Sequence, residues 1–567
     1  MPSGGPQFPL YAHPPPDATP DFNKVNKVAR PRFRIGLISH RAVKAFMARR
    51  RDDWSFMLRL SERALEIRRN ELKTRPPVWY SLQKHQKALF LIGVYLKRFA
   101  FFCDTGTGKT FLSIALQKYF MKTDYARTFL VLVPNISNKW EWADEGYEKH
   151  APDVNYCVLT GSSKHKWQQL EESGAEVFIE TYAGLMRMLC DMKKDKRKKA
   201  KKDDNRLTPN PTKVKKLQRM IEGVFADEST FVKNREKLPY RLLWQLSKTC
   251  RVFFILTGTP FGRKPLDLWA QMNLVDHGET LGETLALFRQ SFFIGKDQFW
   301  GGMKWTFNAA LGDTLNKFLN HRSIVLEANA ADLPKLVQQK RYATLGETAE
   351  SYYEKAKELM KASHGDYHEM KNAFLRARQI ASGFVGFKDD ETGARASYVF
   401  PENPKLDALE NYILEKVDPR YKSIVFHEYK FSGDLIMKML AKNGIKALLL
   451  NGDTKPADVP LIKAQFKNDK KVEVLVLSNS SGGYGLNMQH VRYGLYYEAP
   501  VDPMVRKQTQ RRFERQFSFF KSVFLVDFVV RGTADETILG YHAEGRALWK
   551  SILNIGHKTA RQLEEAE

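Results

Sequence analysis

Residues 103–110 read Cys-Asp-Thr-Gly-Thr-Gly-Lys-Thr and follow directly on the apolar run Phe99-Ala100-Phe101-Phe102. A buried strand that runs into a glycine loop ending in Lys-Thr, and then into a helix, is built to cradle phosphate groups. Gly106 and Gly108 let the backbone curl so that successive N–H groups, those of Thr105 and Thr107 among them, converge on phosphate oxygens. Lys109 is placed to reach β/γ-phosphates and the Thr110 hydroxyl to ligate Mg²⁺. The helix that follows, Phe111 to Phe120, points its positive N-terminus at the same anion. The loop departs from G-x-x-x-x-G-K-T only at its first position, Cys103.

Downstream, Val224-Phe225-Ala226 runs into Asp227-Glu228-Ser229-Thr230. A buried strand ending in Asp-Glu suits nucleotide hydrolysis: Asp227 can hold Mg²⁺, and Glu228 can activate the attacking water. A further strand, Ile255-Leu256, ends in Thr257-Gly258-Thr259-Pro260. Far along the chain, Gln508-Thr-Gln-Arg-Arg-Phe-Glu-Arg515 sets Arg512 and Arg515 on one helix face. Arginines so spaced can complete a γ-phosphate site from a second unit.

Those residues need elements to hold them. At 567 residues the chain exceeds one hydrophobic core, and about three or four domains or subdomains are expected. The formal charge of +27 and pI near 9.6 point to a polyanionic partner, nucleic acid above all. No apolar run reaches the length of about 18 residues needed to span a membrane, and the N-terminus lacks a secretory pattern. Cys103, Cys157, Cys190 and Cys250 are scattered without C-x-x-C pairing, which argues against a disulfide framework or a zinc site and for a reducing interior.

Apolar strands alternate with helical patterns from Tyr80 to Leu326 and again from Ser423 to Phe528. Continuous apolar strands between helices predict parallel sheets covered on both faces. The chain therefore divides into a Pro-rich start and helical extension (1–79, with Arg49-Arg50-Arg51), a first α/β unit (80–327), a mostly helical link (328–403), a second α/β unit (404–545) and a tail (546–567). Lys193 to Lys202 is almost wholly basic and reads as a solvated loop inserted in the first unit.

In order, these motifs resemble those of the superfamily 2 helicases, nearest the Snf-type (Swi/Snf-like) branch. Leu82-Gln-Lys-His-Gln86 resembles the entry motif whose last glutamine reads adenine, and residues 103–110 resemble motif I. Leu132-Val-Pro134 with Trp140 and Glu141 resembles motif Ia, and Glu180-Thr181-Tyr182 motif Ib. Asp227 to Thr230 with Lys233-Asn234 resembles motif II, and Leu256 to Pro260 with Leu268-Trp269 motif III. In the second unit Ile424-Val-Phe426, Ser481 to Asn487, and Gln508 with Arg512 and Arg515 resemble motifs IV, V and VI.

The resemblance implies an α/β fold of two RecA-like lobes in tandem, with ATP and Mg²⁺ between them. It implies hydrolysis through Lys109, Asp227, Glu228, Arg512 and Arg515, and coupling through Thr257, Gly258 and Thr259. Pro134, Thr181, Lys233, Gly485 and Asn487 are implied to contact nucleic acid. The implied activity is a DNA-dependent ATPase that moves along double-stranded DNA as a monomer, inside the cell and away from membranes. A strand-separating DNA or RNA helicase and a nucleic-acid-binding scaffold with a decayed ATPase are the alternatives. Three departures stand out. Motif II ends Ser-Thr, which predicts a weaker link to motif III; motif V carries Ser480-Ser481; and Gln516-Phe517 follows Arg515. No chromatin-reader domain is evident, which suggests a compact prokaryotic or viral motor. Trp140 and Trp142 are expected to pack, with stacking the alternative, His85 to be structural, and Lys233 to touch a phosphate or stand exposed.

Overall fold

The computed structural model describes residues 40–48, 67, 81–104, 106–193, 206–261, 264–297, 303–326, 334–362, 367–388, 395–455, 458–479, 488–513 and 519–553. Thr105, Gly485, Asn487, Arg515, the Arg49–Arg51 trio and the basic loop beyond Lys193 lie outside these residues.

Seven parallel strands form the first sheet: β1 (Arg98–Cys103), β2 (Phe129–Val133), β3 (Tyr156–Val158), β4 (Val177–Thr181), β5 (Gly223–Asp227), β6 (Val252–Leu256) and β7 (Ser323–Leu326). Their order is β7-β1-β6-β5-β2-β4-β3. Alternate residues of β1 serve opposite layers, Phe99, Phe101 and Cys103 one core and Ala100 and Phe102 the other. Helices therefore cover both faces, which is why these strands read as unbroken apolar runs. The helices that matter for the site are α1 (Lys84–Leu96), α2 (Lys109–Lys122), α3 (Ile136–Trp140), α4 (Tyr182–Leu189) and α5 (Asp267–Asp276). A π-helical stretch, Glu141–Glu148, continues α3.

The second sheet is also wholly parallel: β8 (Lys335–Ala343), β9 (Lys422–His427), β10 (Ala447–Leu450), β11 (Val474–Ser478), β12 (Val491–Tyr496) and β13 (Ser522–Val530), in the order β8-β13-β12-β9-β11-β10. It too has a core on each face. Two parallel sheets flanked by helices are the two RecA-like lobes that the motif series implies.

The stretch 328–403 differs from its expected helical character. It holds α6 (Glu347–Ala362) and α7 (Tyr367–Ala381), but opens with β8, which pairs along its length with β13. It closes with an antiparallel hairpin, Phe384–Lys388 against Arg395–Val399. The reason is legible in β8 itself: Lys335, Gln338, Gln339, Lys340 and Arg341 break any apolar run, as suits an edge strand protected by charge. The two helices share a small core of Ala349, Tyr353, Ala356, Ala377, Ile380 and Phe400. Tyr353 anchors them to the second lobe by accepting a bond from Ala534 N at 2.7 Å. Two helices of the second lobe face the first: α8 (Val459–Asn468) and α9 (Pro503–Phe513).

Candidate active site between the lobes

β1 delivers the chain into the glycine loop, and α2 begins at Lys109 with Gly108 as its N-cap at φ 77°. Gly106 also has positive φ, 90°. A Cβ on Gly108 would stand 2.0 Å from Gln86 Nε2, so no side chain fits there. Gln86 is buried and fully engaged: its Oε1 accepts from Gln83 N at 3.0 Å and its Nε2 donates to Thr107 O at 3.1 Å. The bond to Thr107 ties α1 to the loop. His85 contacts the same carbonyl at 3.1 Å, the structural part expected of it. Thr107 Oγ1 closes the turn onto Asp104 O at 2.7 Å, and Lys109 Nζ donates to Cys103 O at 2.7 Å and Asp104 O at 3.1 Å. Cys103 itself is an inert core residue, its thiol pushed up to about 12 by burial.

Asp227 ends β5, the strand next but one to β1, and Glu228 follows it directly. Asp227 Oδ2 accepts from Trp142 Nε1 at 2.9 Å, and its Oδ1 accepts from Glu228 N at 2.9 Å. Glu228 has φ 50°, a conformation rare outside glycine, which marks a strained position at the head of the strand. Its Oε1 accepts from Thr257 Oγ1 at 2.8 Å, Thr230 Oγ1 at 3.2 Å and Gln508 Nε2 at 3.0 Å. Burial raises the pKa of both carboxyls; their mutual repulsion raises Glu228 further, and the Lys109 ammonium pulls both down. One lysine thus faces both carboxylates and the glycine loop.

The weaker link expected from the Ser-Thr ending of motif II is not what the structure holds. Thr257 bonds Glu228 directly, and Thr259 N donates to Thr257 Oγ1 at 3.1 Å. Ser229 Oγ donates to Gln271 Oε1 at 2.7 Å, and Gln271 Nε2 returns to Pro260 O at 2.5 Å. Short hydroxyls and one α5 glutamine make this link.

The second lobe supplies α9. One face is clamped to its own sheet: the Arg506 guanidinium forks onto Asp527 at 2.7 and 2.8 Å and stacks 3.5 Å over the Tyr496 ring, while Thr509 bonds Tyr496 at 2.7 Å. The other face meets the first lobe. Gln508 reaches Glu228, and Arg511 Nη2 and Lys507 Nζ lie 2.9 and 3.6 Å from the buried Asp104 carboxylate. Arg512, one step on, sits beside Lys463 of α8, whose pKa falls to about 8 through burial with Arg512 adding to the effect. Lys463 Nζ donates across the lobes to Ser137 Oγ at 3.0 Å. The ion pairs to Asp104 of the glycine loop are therefore made by Lys507 and Arg511, which the motif spacing did not single out.

The nucleic-acid candidates separate. Pro134 and Thr181 line one cleft of about 660 Å³ that Thr454, Val459 and Pro460 of the second lobe complete. Thr181 caps α4, its Oγ1 accepting from Gly184 N at 2.9 Å. Under the cleft the buried Glu180 carboxylate pairs with Lys139 at 2.6 Å and Lys166 at 2.5 Å. Lys233 lies elsewhere, at the lobe junction, 3.5 Å from Asp267 and 3.9 Å from Met504 Sδ of α9. Asp104, Gln271 and Lys463 were missed from sequence, and Trp142, which packs inside as expected, also donates to Asp227. Only Asp104, a charge directly after an apolar strand, carried a signal.

Among the described residues no group of three or more His, Cys, Asp or Glu could hold a metal, and no helix is long and apolar enough to cross a membrane. Two family models match the chain: the SNF2-related domain over residues 79–388 and the helicase conserved C-terminal domain over 404–516. A SWI/SNF-related matrix-associated actin-dependent regulator of chromatin subfamily A-like protein 1 from Xenopus tropicalis is 22% identical over 76% of this chain and 41% of its own length. The chain thus spans under half of that relative. Putative protein p41 of Acyrthosiphon pisum secondary endosymbiont phage 1 is 24% identical, with 81% of this chain and 95% of the phage protein covered. The Sulfolobus solfataricus SWI2/SNF2 ATPase core in complex with dsDNA matches 84% of this chain and 94% of that one at 19% identity, with a TM-score of 0.35.

Proposed function

The chain belongs to the SNF2-related domain family, and from that premise we propose that it is an ATP-dependent translocase on double-stranded DNA, hydrolysing ATP between its two lobes. The observation that carries this reading is the Glu228 carboxylate, which takes bonds at once from Thr257 of the first lobe and Gln508 of the second. Hydrolysis and the relative position of the lobes then share one group.

In this reading the backbone N–H groups of residues 106–110 and the Lys109 ammonium hold the triphosphate. Lys109 exchanges its carbonyl partners Cys103 and Asp104 for phosphate oxygens. The Thr110 hydroxyl and the Asp227 carboxylate are hard oxygen donors that fit Mg²⁺, an ion held by few protein ligands plus substrate phosphates. Mg²⁺ supplies charge neutralisation at the β/γ-phosphates when bound. Glu228, its basicity raised by burial, takes a proton from the attacking water. Arg511, Arg512 and Arg515 of the second lobe bring guanidinium charge, so turnover waits on lobe closure. The cleft past Pro134 and Thr181 holds the DNA backbone by sequence-independent contacts. The chain works as a monomer inside the cell.

ATP turnover measured alone and with duplex DNA, single-stranded DNA or RNA tests the proposal. Stimulation greatest with duplex is expected. A rate indifferent to every nucleic acid would defeat it, and ATP-dependent release of a strand from a forked duplex would favour a true helicase.

A further inference from the structure

Helix α3 is inside out. Ile136 and Trp140, four residues apart and so on one helix face, are 53% and 46% exposed, while Lys139 between them is 5% exposed and buried against Glu180. Turning a lysine inward and an indole outward is costly without a use for the outer face. Both apolar residues line the inter-lobe cleft, opposite Pro460 of α8. Arg187 lines the same wall, and Lys139 with Lys166 outnumbers the one Glu180 charge between them. An apolar, aromatic face set in a cationic wall matches a ligand with flat π-surfaces joined by phosphates.

We propose that the Ile136–Trp140 face of α3 is a stacking platform for unpaired bases of a DNA strand in the cleft. The platform rests on the nucleic-acid reading above and deepens it. The platform would then add to duplex binding wherever the duplex is interrupted, at gaps and frayed junctions, while Arg187 and the net positive charge beneath the cleft draw phosphates of any sequence. Base–aromatic stacking is sequence-tolerant, because every base offers a π-face.

The full chain is titrated, by fluorescence anisotropy, with three DNA probes of equal length: intact duplex, duplex with a short single-stranded gap, and the same gap carrying abasic sites. The wild-type chain should prefer the gap with bases over the abasic gap. Trp140→Ala should weaken binding to the based gap by about tenfold and erase that preference. The slope of log affinity against log salt should stay unchanged, since no phosphate contact is lost. Trp140→Phe should keep most of the affinity, and 2-aminopurine in the gap should be quenched by the wild-type chain and not by Trp140→Ala. Unaltered gap binding by Trp140→Ala overturns the platform. So does a loss accompanied by a shallower salt slope, or a change in oligomeric mass, which would assign the face to self-association. A wild-type chain that binds none of the probes defeats the nucleic-acid reading itself. One that binds duplex and gap but ignores the Trp140 change defeats only the platform.

Discussion

Three donors converge on one oxygen of Glu228, from Thr230, Thr257 and Gln508. These bonds fix the carboxylate in direction and by themselves lower its pKa, but burial and the neighbouring Asp227 outweigh them and raise its basicity. Direction and basicity are the two properties a general base needs. Glu228→Gln preserves shape and most of these bonds but cannot take a proton. Steady-state turnover should fall by roughly 10²-fold or more while ATP binding persists; an equal loss of binding would contradict the role. Lys109→Ala should abolish turnover as well. Asp227 depends on Trp142, whose indole N–H fixes one carboxylate oxygen. Trp142→Phe keeps the ring and removes that donor. Outer-shell partners of this kind are worth about 10- to 100-fold in metal affinity or activity. A Mg²⁺ titration of turnover should therefore show a raised Mg²⁺ requirement, and an unchanged requirement would make Trp142 a packing residue only.

At the scale of elements, helix α9 does two jobs with opposite faces. Arg506, Thr509 and Phe513 bind it to its own sheet, and Lys507, Gln508 and Arg511 reach the first lobe. The π-helical stretch after α3 holds Trp142 buried and bonded to Asp227, in keeping with the frequency of such turns at functional sites. Within the second lobe, the His490 ring packs tilted against Phe466 at 5.6 Å, and burial, with Lys422 and Lys467 nearby, lowers its pKa from 6.5 to about 4. The unfolded chain therefore binds the proton that the folded lobe refuses. The stability this group contributes is complete above pH 6.5 and is lost as pH falls toward 4. Denaturant midpoints followed from pH 7.5 to 4.5 should decline less steeply in His490→Gln than in the wild-type chain; parallel declines would exclude His490 as a cause.

The whole molecule is two lobes whose docking is largely polar. Asp104 of the glycine loop faces Arg511 and Lys507, and Lys463 reaches Ser137. A buried carboxylate stripped of a cation is strongly destabilising. Arg511→Ala should therefore loosen the lobes, seen as a larger radius of gyration by small-angle scattering. Asp104→Asn added to it should cost less than the sum of the two, with a coupling of about 0.5–3 kcal/mol. Additive effects would mean the lobes are held elsewhere. The charge of +27 acts at this scale too, drawing a polyanion toward the cleft from a distance that salt shortens.

The sequence alone determined the two parallel sheets, the glycine loop, the Asp-Glu strand end and the order of the motifs, because each is local. Buried parallel strands are apolar throughout, and a phosphate loop needs its glycines adjacent in the chain. The charged edge strand β8 escaped notice because, half exposed, it needs no apolar run. What only the tertiary structure decided is which groups meet across long stretches of chain: Trp142 with Asp227, Gln271 with Ser229, Gln508 with Glu228, and Arg511 with Asp104. Such pairings depend on where a helix turns each side chain once its other face is anchored. Arg506 on Asp527 fixes the rotation of α9, and that rotation, which no residue spacing specifies, brings Arg511 to the loop.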